Sequence, residues 1–180
     1  MGQARPAGCG ELLRGVRAFV TDLAVLAPVP YEHLESGEDV CRREGKVAFG
    51  SMKWEFFRDL DARATGEKVP VYLYASWAAE GSARPLVSWR ATYVGHAEGS
   101  GAGHPDGMRY RPPTTGKYPT DNSEWAVYWE VEELERLPSG SRIAMDRFVG
   151  YDTGKPFASH LVPEGPMLVR EPPPSPGDRQ

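Results

Sequence analysis

The chain carries only two cysteines in 180 residues, Cys9 and Cys41. They form no CxxC pair and no zinc spacing, which excludes a disulfide framework and a zinc-stapled fold, and two such thiols without a secretory leader fit a reducing cytoplasm. Long apolar runs are missing too. The longest early one, residues 18–28, is interrupted by Asp22 and is too short to span a bilayer. Positive charge is not in excess: the net charge is −4, which excludes the backbone-dominated binding of strongly basic nucleic-acid proteins and leaves room only for a local contact, one pocket with a basic rim. No G-x-S-x-G elbow or Cys-His signature supports nucleophilic hydrolase chemistry. The run Gly99-Ser100-Gly101-Ala102-Gly103 lacks the following helix and the Lys-Ser/Thr pair of a phosphate loop. His96, His104 and Asp106 match no strong ligand spacing, so no metal and no cofactor is expected.

What the chain does have is glycine (20), proline (17), tyrosine (8) and tryptophan (5), a mixture that suits short strands, many turns and a long loop. Its length fits one domain that buries roughly 70% of the unfolded surface. Residues 1–15 are expected to be a flexible N-terminus, 16–171 the domain, and 172–180 a disordered, proline-rich tail.

Periodicity places the elements. Residues 11–26 fit either a helical stripe or, from Ala18 onward, a strand, and the Val-Thr content favours the strand. Residues 30–44 read as a helix between Pro30 and Gly45, and 53–63 as a second, with Trp54, Phe57 and Leu60 on one face and an Asp59–Arg63 charge pair. Val69–Ser76 alternates apolar and polar residues and is the clearest strand. Residues 86–97, 125–131, 143–149 and 167–170 supply further strands, and 46–49 a short extended piece. Residues 98–123 form a long Gly/Pro/Thr-rich loop. Five to six strands with one to three flanking helices make an α+β fold, a small closed or half-closed barrel with room for a ligand at its mouth.

Three constellations carry chemistry. Ser76 and Trp77 end the clearest strand, where a flat indole at a barrel rim can stack on a base. Arg109, Tyr110, Arg111, Lys117 and Tyr118 interleave cations and phenols in the long loop, as a phosphate-holding rim would. Lys53, Trp54 and Glu55 lie just ahead of the clearest strand; a desolvated Lys or Glu there can act as acid or base. The acidic run Glu130, Glu132, Glu133, Glu135 reads as an exposed face after the third strand.

The order of these features resembles the PUA-like superfamily, in particular ASCH and EVE domains, over roughly residues 16–171. The resemblance rests on Gly50 to Glu55, on the strand Val-Pro-Val-Tyr-Leu-Tyr-Ala-Ser, on Ala91-Thr92-Tyr93-Val94-Gly95-His96, on Trp125-Ala126-Val127-Tyr128-Trp129-Glu130-Val131, and on Pro163-Glu164-Gly165-Pro166. ASCH domains carry G-x-K-x-x-E-x-R ahead of the barrel strand. Here Gly50 and Glu55 keep the spacing, while Lys53 and Arg58 each stand one position late.

The resemblance implies a PUA-like β-pseudobarrel whose cleft binds RNA, DNA or a modified base. Trp54, Trp77 and Tyr110 are the expected walls, Ser76 and Glu55 the groups that read the base edge, and Arg109, Arg111 and Lys117 the phosphate contacts. The expected function is a cytoplasmic nucleic-acid-binding module that recognises a modified nucleobase, without a membrane. Two alternatives stand beside it: a small ASCH-like hydrolase of a modified nucleoside or RNA with Lys53 and Glu55 as the acid/base pair, and a protein-interaction domain using the acidic face.

Overall fold

The computed structural model describes residues 22–76, 84–117 and 124–173. Its first strand, β1 (Leu23–Pro30), is apolar almost throughout, and it is buried on both sides. Leu23, Val25, Ala27 and Val29 enter one core cluster, Ala24 and Leu26 another. That two-sided burial explains why the segment shows no clean alternation.

Helix α1 (Tyr31–Glu44) follows at once, with Pro30 just ahead of its first residue. It ends where Gly45 takes a left-handed φ of 85° and donates its N–H to the Cys41 carbonyl at 2.9 Å, a conformation glycine adopts without a Cβ penalty. Leu34, Gly37, Val40 and Cys41 form its buried face. After β2 (Val47–Ser51), helix α2 (Trp54–Ala64) buries Phe57, Leu60 and Ala64 and holds the Asp59–Arg63 pair at 2.8 Å. Trp54 departs from the expected face: it is 45% exposed. Phe57 and Leu60 sit three residues apart on the core side, and the first helical residue lies before that stripe settles onto the sheet.

Strands β3 (Val69–Ser76), β4 (Leu86–Glu98), β5 (Val127–Arg136), β6 (Ile143–Ala144), β7 (Val149–Gly150) and β8 (Met167–Arg170) complete the sheet. The architecture is α+β: one mixed eight-stranded sheet in the order β2-β5-β4-β3-β1-β8-β7, with β6 on β4 and two α-helices among the described residues. This corrects the expected five to six strands. The sheet does not close, for β2 and β7 end the path instead of pairing with each other.

It does curl. Phe49 on β2 and Ala27 on β1 line one cavity although β5, β4 and β3 lie between them in the sheet. Register shifts in the β3–β4 and β4–β5 pairs supply the bends. Both helices and strands β1 to β5 share the larger cluster on the concave side. Tyr74, Val87, Met145, Phe148 and Val169 pack the smaller cluster behind it. Met145 and Phe148 interrupt what reads as one strand over 143–149, dividing it into β6, a 3-10 turn and β7.

β5 also runs further than expected, to Arg136, and takes in the acidic run. Those carboxylates are engaged within the chain. Glu130 accepts from Lys46 at 2.8 Å and from His104 at 3.2 Å, Glu132 pairs with Lys68, Glu133 accepts the Thr92 hydroxyl, and Glu135 pairs with Arg90. The free edge of β2 is covered as well. The Ala48 N–H donates to the Tyr110 carbonyl at 2.7 Å, and the Ala48 carbonyl accepts from the Arg111 guanidinium at 2.9 Å. A loop thus occupies the place of a ninth strand. Among the described residues, no helix is long and apolar enough to cross a membrane.

Burial pushes the phenols of Tyr74 and Tyr93 well above the ordinary tyrosine value, and the Asp61 carboxylate bonded to Tyr93 at 2.8 Å adds to the rise there. The unfolded chain therefore loses these protons first, so their contribution to stability is complete below about pH 10 and declines as pH rises above it. Urea unfolding should give a flat midpoint between roughly pH 7 and 9 and a falling one beyond about pH 10, with Tyr93→Phe flattening the fall. A midpoint indifferent to alkaline pH would contradict this burial.

Candidate functional site

The parallel pairing of β1 and β3 brings Pro30 opposite Ser76, so both strands end at the same edge. β2 ends there too, at Ser51, which pairs with the first residue of β5, Val127. Between these ends lies a cavity of about 1110 Å³. Its back wall is apolar, from Ala27, Val29 and Ala75, and the segment Val162–Gly165–Pro166 stands across from it. Ligand pockets in proteins typically measure about 300–1,000 Å³, so a whole nucleoside fits.

Aromatic rings give this cavity flat sides. Trp129 is buried and fixed, tilted against Phe49 at 5.2 Å and stacked on Phe57 at 5.5 Å. Trp125, half-buried, is held differently. A β-carbon on Gly50 would lie 2.2 Å from the Trp125 ring, and one on Gly99 would lie 1.8 Å from its carbonyl oxygen. The indole therefore rests directly on the backbone of Gly50 while Gly99 admits the segment that carries it, just ahead of β5. Only a residue without a side chain leaves that space open.

Polar groups are set among these surfaces. The Ser51 hydroxyl accepts the Lys53 N–H at 3.1 Å, holding the turn into α2. The Lys53 side chain lies along Gly165 on the opposite wall, its Cε 3.6 Å from where a β-carbon would stand. His33 on α1 shares a hydrogen bond of 2.7 Å between Nδ1 and Thr114 Oγ1, and Ser36 binds that same hydroxyl. Arg111 is 2% exposed, with its guanidinium over the Tyr128 ring at 4.9 Å and on the Ala48 carbonyl. The lining holds two cations, Lys53 and Arg111, and two carboxylates, Glu124 and Glu164. A cavity with apolar walls, flat rings and opposed charges suits a neutral planar ligand with polar edges better than a polyanion.

The expected site residues divide. Ser76, Lys53 and Arg111 line the cavity. Trp54 and Glu55 are exposed on α2 outside the lining, so the cavity does not bring Glu55 to Lys53 as an acid/base pair. Tyr110 lies elsewhere, its ring between Lys46 at 4.4 Å and Arg109 at 5.0 Å. The cations assigned to phosphate have partners inside the chain: Arg109 bonds Glu44 at 3.0 Å, Lys117 bonds Glu32 at 3.1 Å, and Arg111 is buried. Trp77, like Tyr118 and Cys9, lies outside the described residues. His96 and His104 answer to different carboxylates, Asp61 at 2.9 Å and Glu130 at 3.2 Å.

Trp125 and His33 are among the lining residues that escape a reading of the sequence. Trp125 was legible only as part of an aromatic strand, although a glycine inside an apolar strand such as Val47–Ser51 signals close approach of another group. His33 gave no signal beyond its helix.

Gly50→Ala should unseat the Trp125 indole, with a loss of about 1–3 kcal/mol in urea unfolding and a changed near-ultraviolet tryptophan dichroism. An unchanged spectrum and stability would show that the ring does not rest there. No protein-family model, no curated protein and no solved structure matches this chain.

Proposed function

We propose that the chain is a nucleic-acid-binding module of PUA-like character that takes one unpaired, modified nucleobase into the cavity at the ends of β1, β2 and β3. The observation that carries this reading is the Trp125 indole seated on Gly50 beside a cavity that has room for a nucleoside. A base has two apolar faces and a hydrogen-bonding rim, and the lining answers both. Trp125 stacks on one face, Ala27, Val29 and Ala75 support the ring, and Ser51, Ser76 and His33 surround its edge.

Convergence supports the resemblance to ASCH and EVE domains. Gly50 to Lys53, the end of Val69–Ser76, Trp125 and Trp129, and Pro163 to Pro166 come from four separate segments, and all of them line this one cavity. The curled, open sheet is compatible with a half-closed PUA-like barrel. The hydrolase reading has less behind it, because Glu55 is outside the lining. The protein-interaction reading is weakened by the internal partners of the acidic run.

Calorimetric titration with the four ordinary nucleosides, 5-methylcytidine, N4-acetylcytidine and pseudouridine should find at least one that binds. Trp125→Ala should weaken it by about tenfold or more, the scale of a lost base–aromatic stack, and Ser76→Ala by a few-fold. Glu55→Gln should leave nucleoside affinity unchanged, and so should salt, since no phosphate is involved. Failure of every nucleoside to bind, or indifference to Trp125→Ala, would refute base recognition at this site.

A further inference from the structure

Met52 and Val162 line the cavity and yet are 59% and 58% exposed, so they mark its mouth. Two residues beyond Met52, Trp54 opens α2 with an indole that belongs to neither core cluster. One helical turn on, the Arg58 guanidinium lies 4.7 Å from the centre of that ring. Among the described residues, neither Arg58 nor Lys53 meets a carboxylate, in contrast to Arg109 on Glu44 and Lys117 on Glu32. Two exposed cations, Lys53 just ahead of α2 and Arg58 in its second turn, thus stand together beside an exposed indole and the cavity mouth.

We propose that this lip is the docking surface for the nucleic-acid strand that carries the bound base, a proposal that rests on the base-binding reading. Lys53 and Arg58 hold the phosphates that flank the base. Trp54 offers its exposed indole to the neighbouring base, the apolar Met52 and Val162 shield the mouth, and Glu55, in the same turn, limits how much negative charge the lip accepts. The strand accordingly crosses α2 and not the loop of Arg109 and Lys117. Guanidinium stacked on an aromatic ring keeps donors free at its edge for phosphate, so the Arg58–Trp54 pair can serve both contacts at once.

The test compares the best-binding nucleoside of the panel above with a trinucleotide that carries it in the middle. The trinucleotide should bind about tenfold tighter or more, with a salt slope of roughly −1.4, two phosphates at about −0.7 each. Arg58→Gln should remove about three- to tenfold of that gain and reduce the slope by about 0.7, and Trp54→Ala should remove about tenfold. Both should leave the nucleoside constant unchanged, and Glu55→Gln should tighten only the trinucleotide. If the nucleoside binds but the trinucleotide ignores Arg58→Gln and Trp54→Ala, or responds instead to Arg109→Gln and Lys117→Gln, the lip is refuted and the base cavity stands. If neither ligand binds, both readings fall together.

Discussion

Strand β1 must bury both of its faces, and most of the architecture follows from that. It is paired on both sides, parallel to β3 and antiparallel to β8. A parallel neighbour requires a crossover, and here the crossover contains α1, β2 and α2. The helices cover the concave face of β1, while Tyr74, Met145 and Phe148 cover the other. Because β1 and β3 run the same way and end in register, their last residues open onto one space, and the crossover returns β2 to the opposite side of it.

The cavity is therefore a product of topology before it is a product of particular side chains. What the side chains add is flatness and polarity. Trp129 is held by neighbouring rings and is part of the core; Trp125 is held by missing atoms, at Gly50 and Gly99. Arg111 joins this site to the sheet edge, since one guanidinium faces the cavity and occupies the outward carbonyl of β2. Burial is costly for a cation, and the Tyr128 ring together with the Ala48 carbonyl offset part of that cost.

Local signals were readable in the sequence, and distant pairings were not. Pro30 and Gly45 bracket α1 within a residue of the observed bounds, because both act on their own backbone. The alternation of Val69–Ser76 was plain because one face of β3 meets the helices. β1 stayed ambiguous between helix and strand because a segment buried on both faces has no polar side to set a period. The site was harder still. Lys53 ahead of the clearest strand, Ser76 at its end and Arg111 in the long loop are singled out by residue type and position and line the cavity, yet Arg109 and Lys117, in the same loop as Arg111, look equally available to phosphate. Their carboxylate partners, Glu44 and Glu32, lie 65 and 85 residues away, and no local pattern announces such a pair. Trp54 was assigned to the core stripe of α2 by period alone, and only the tertiary contacts separate it from Phe57 and Leu60.

The internal neutralisation of the long loop also bears on how a partner arrives. With Arg109 and Lys117 matched to glutamates and a net charge of −4, the protein projects little attractive field toward an anionic strand. For the strand proposed above, the expected encounter is by unassisted diffusion, in the neighbourhood of 10⁵–10⁶ M⁻¹s⁻¹ instead of the about 10⁸ or more of steered complexes. On the proposed reading, discrimination between ligands then rests on residence time, on how long a ring stays against Trp125 once it has entered.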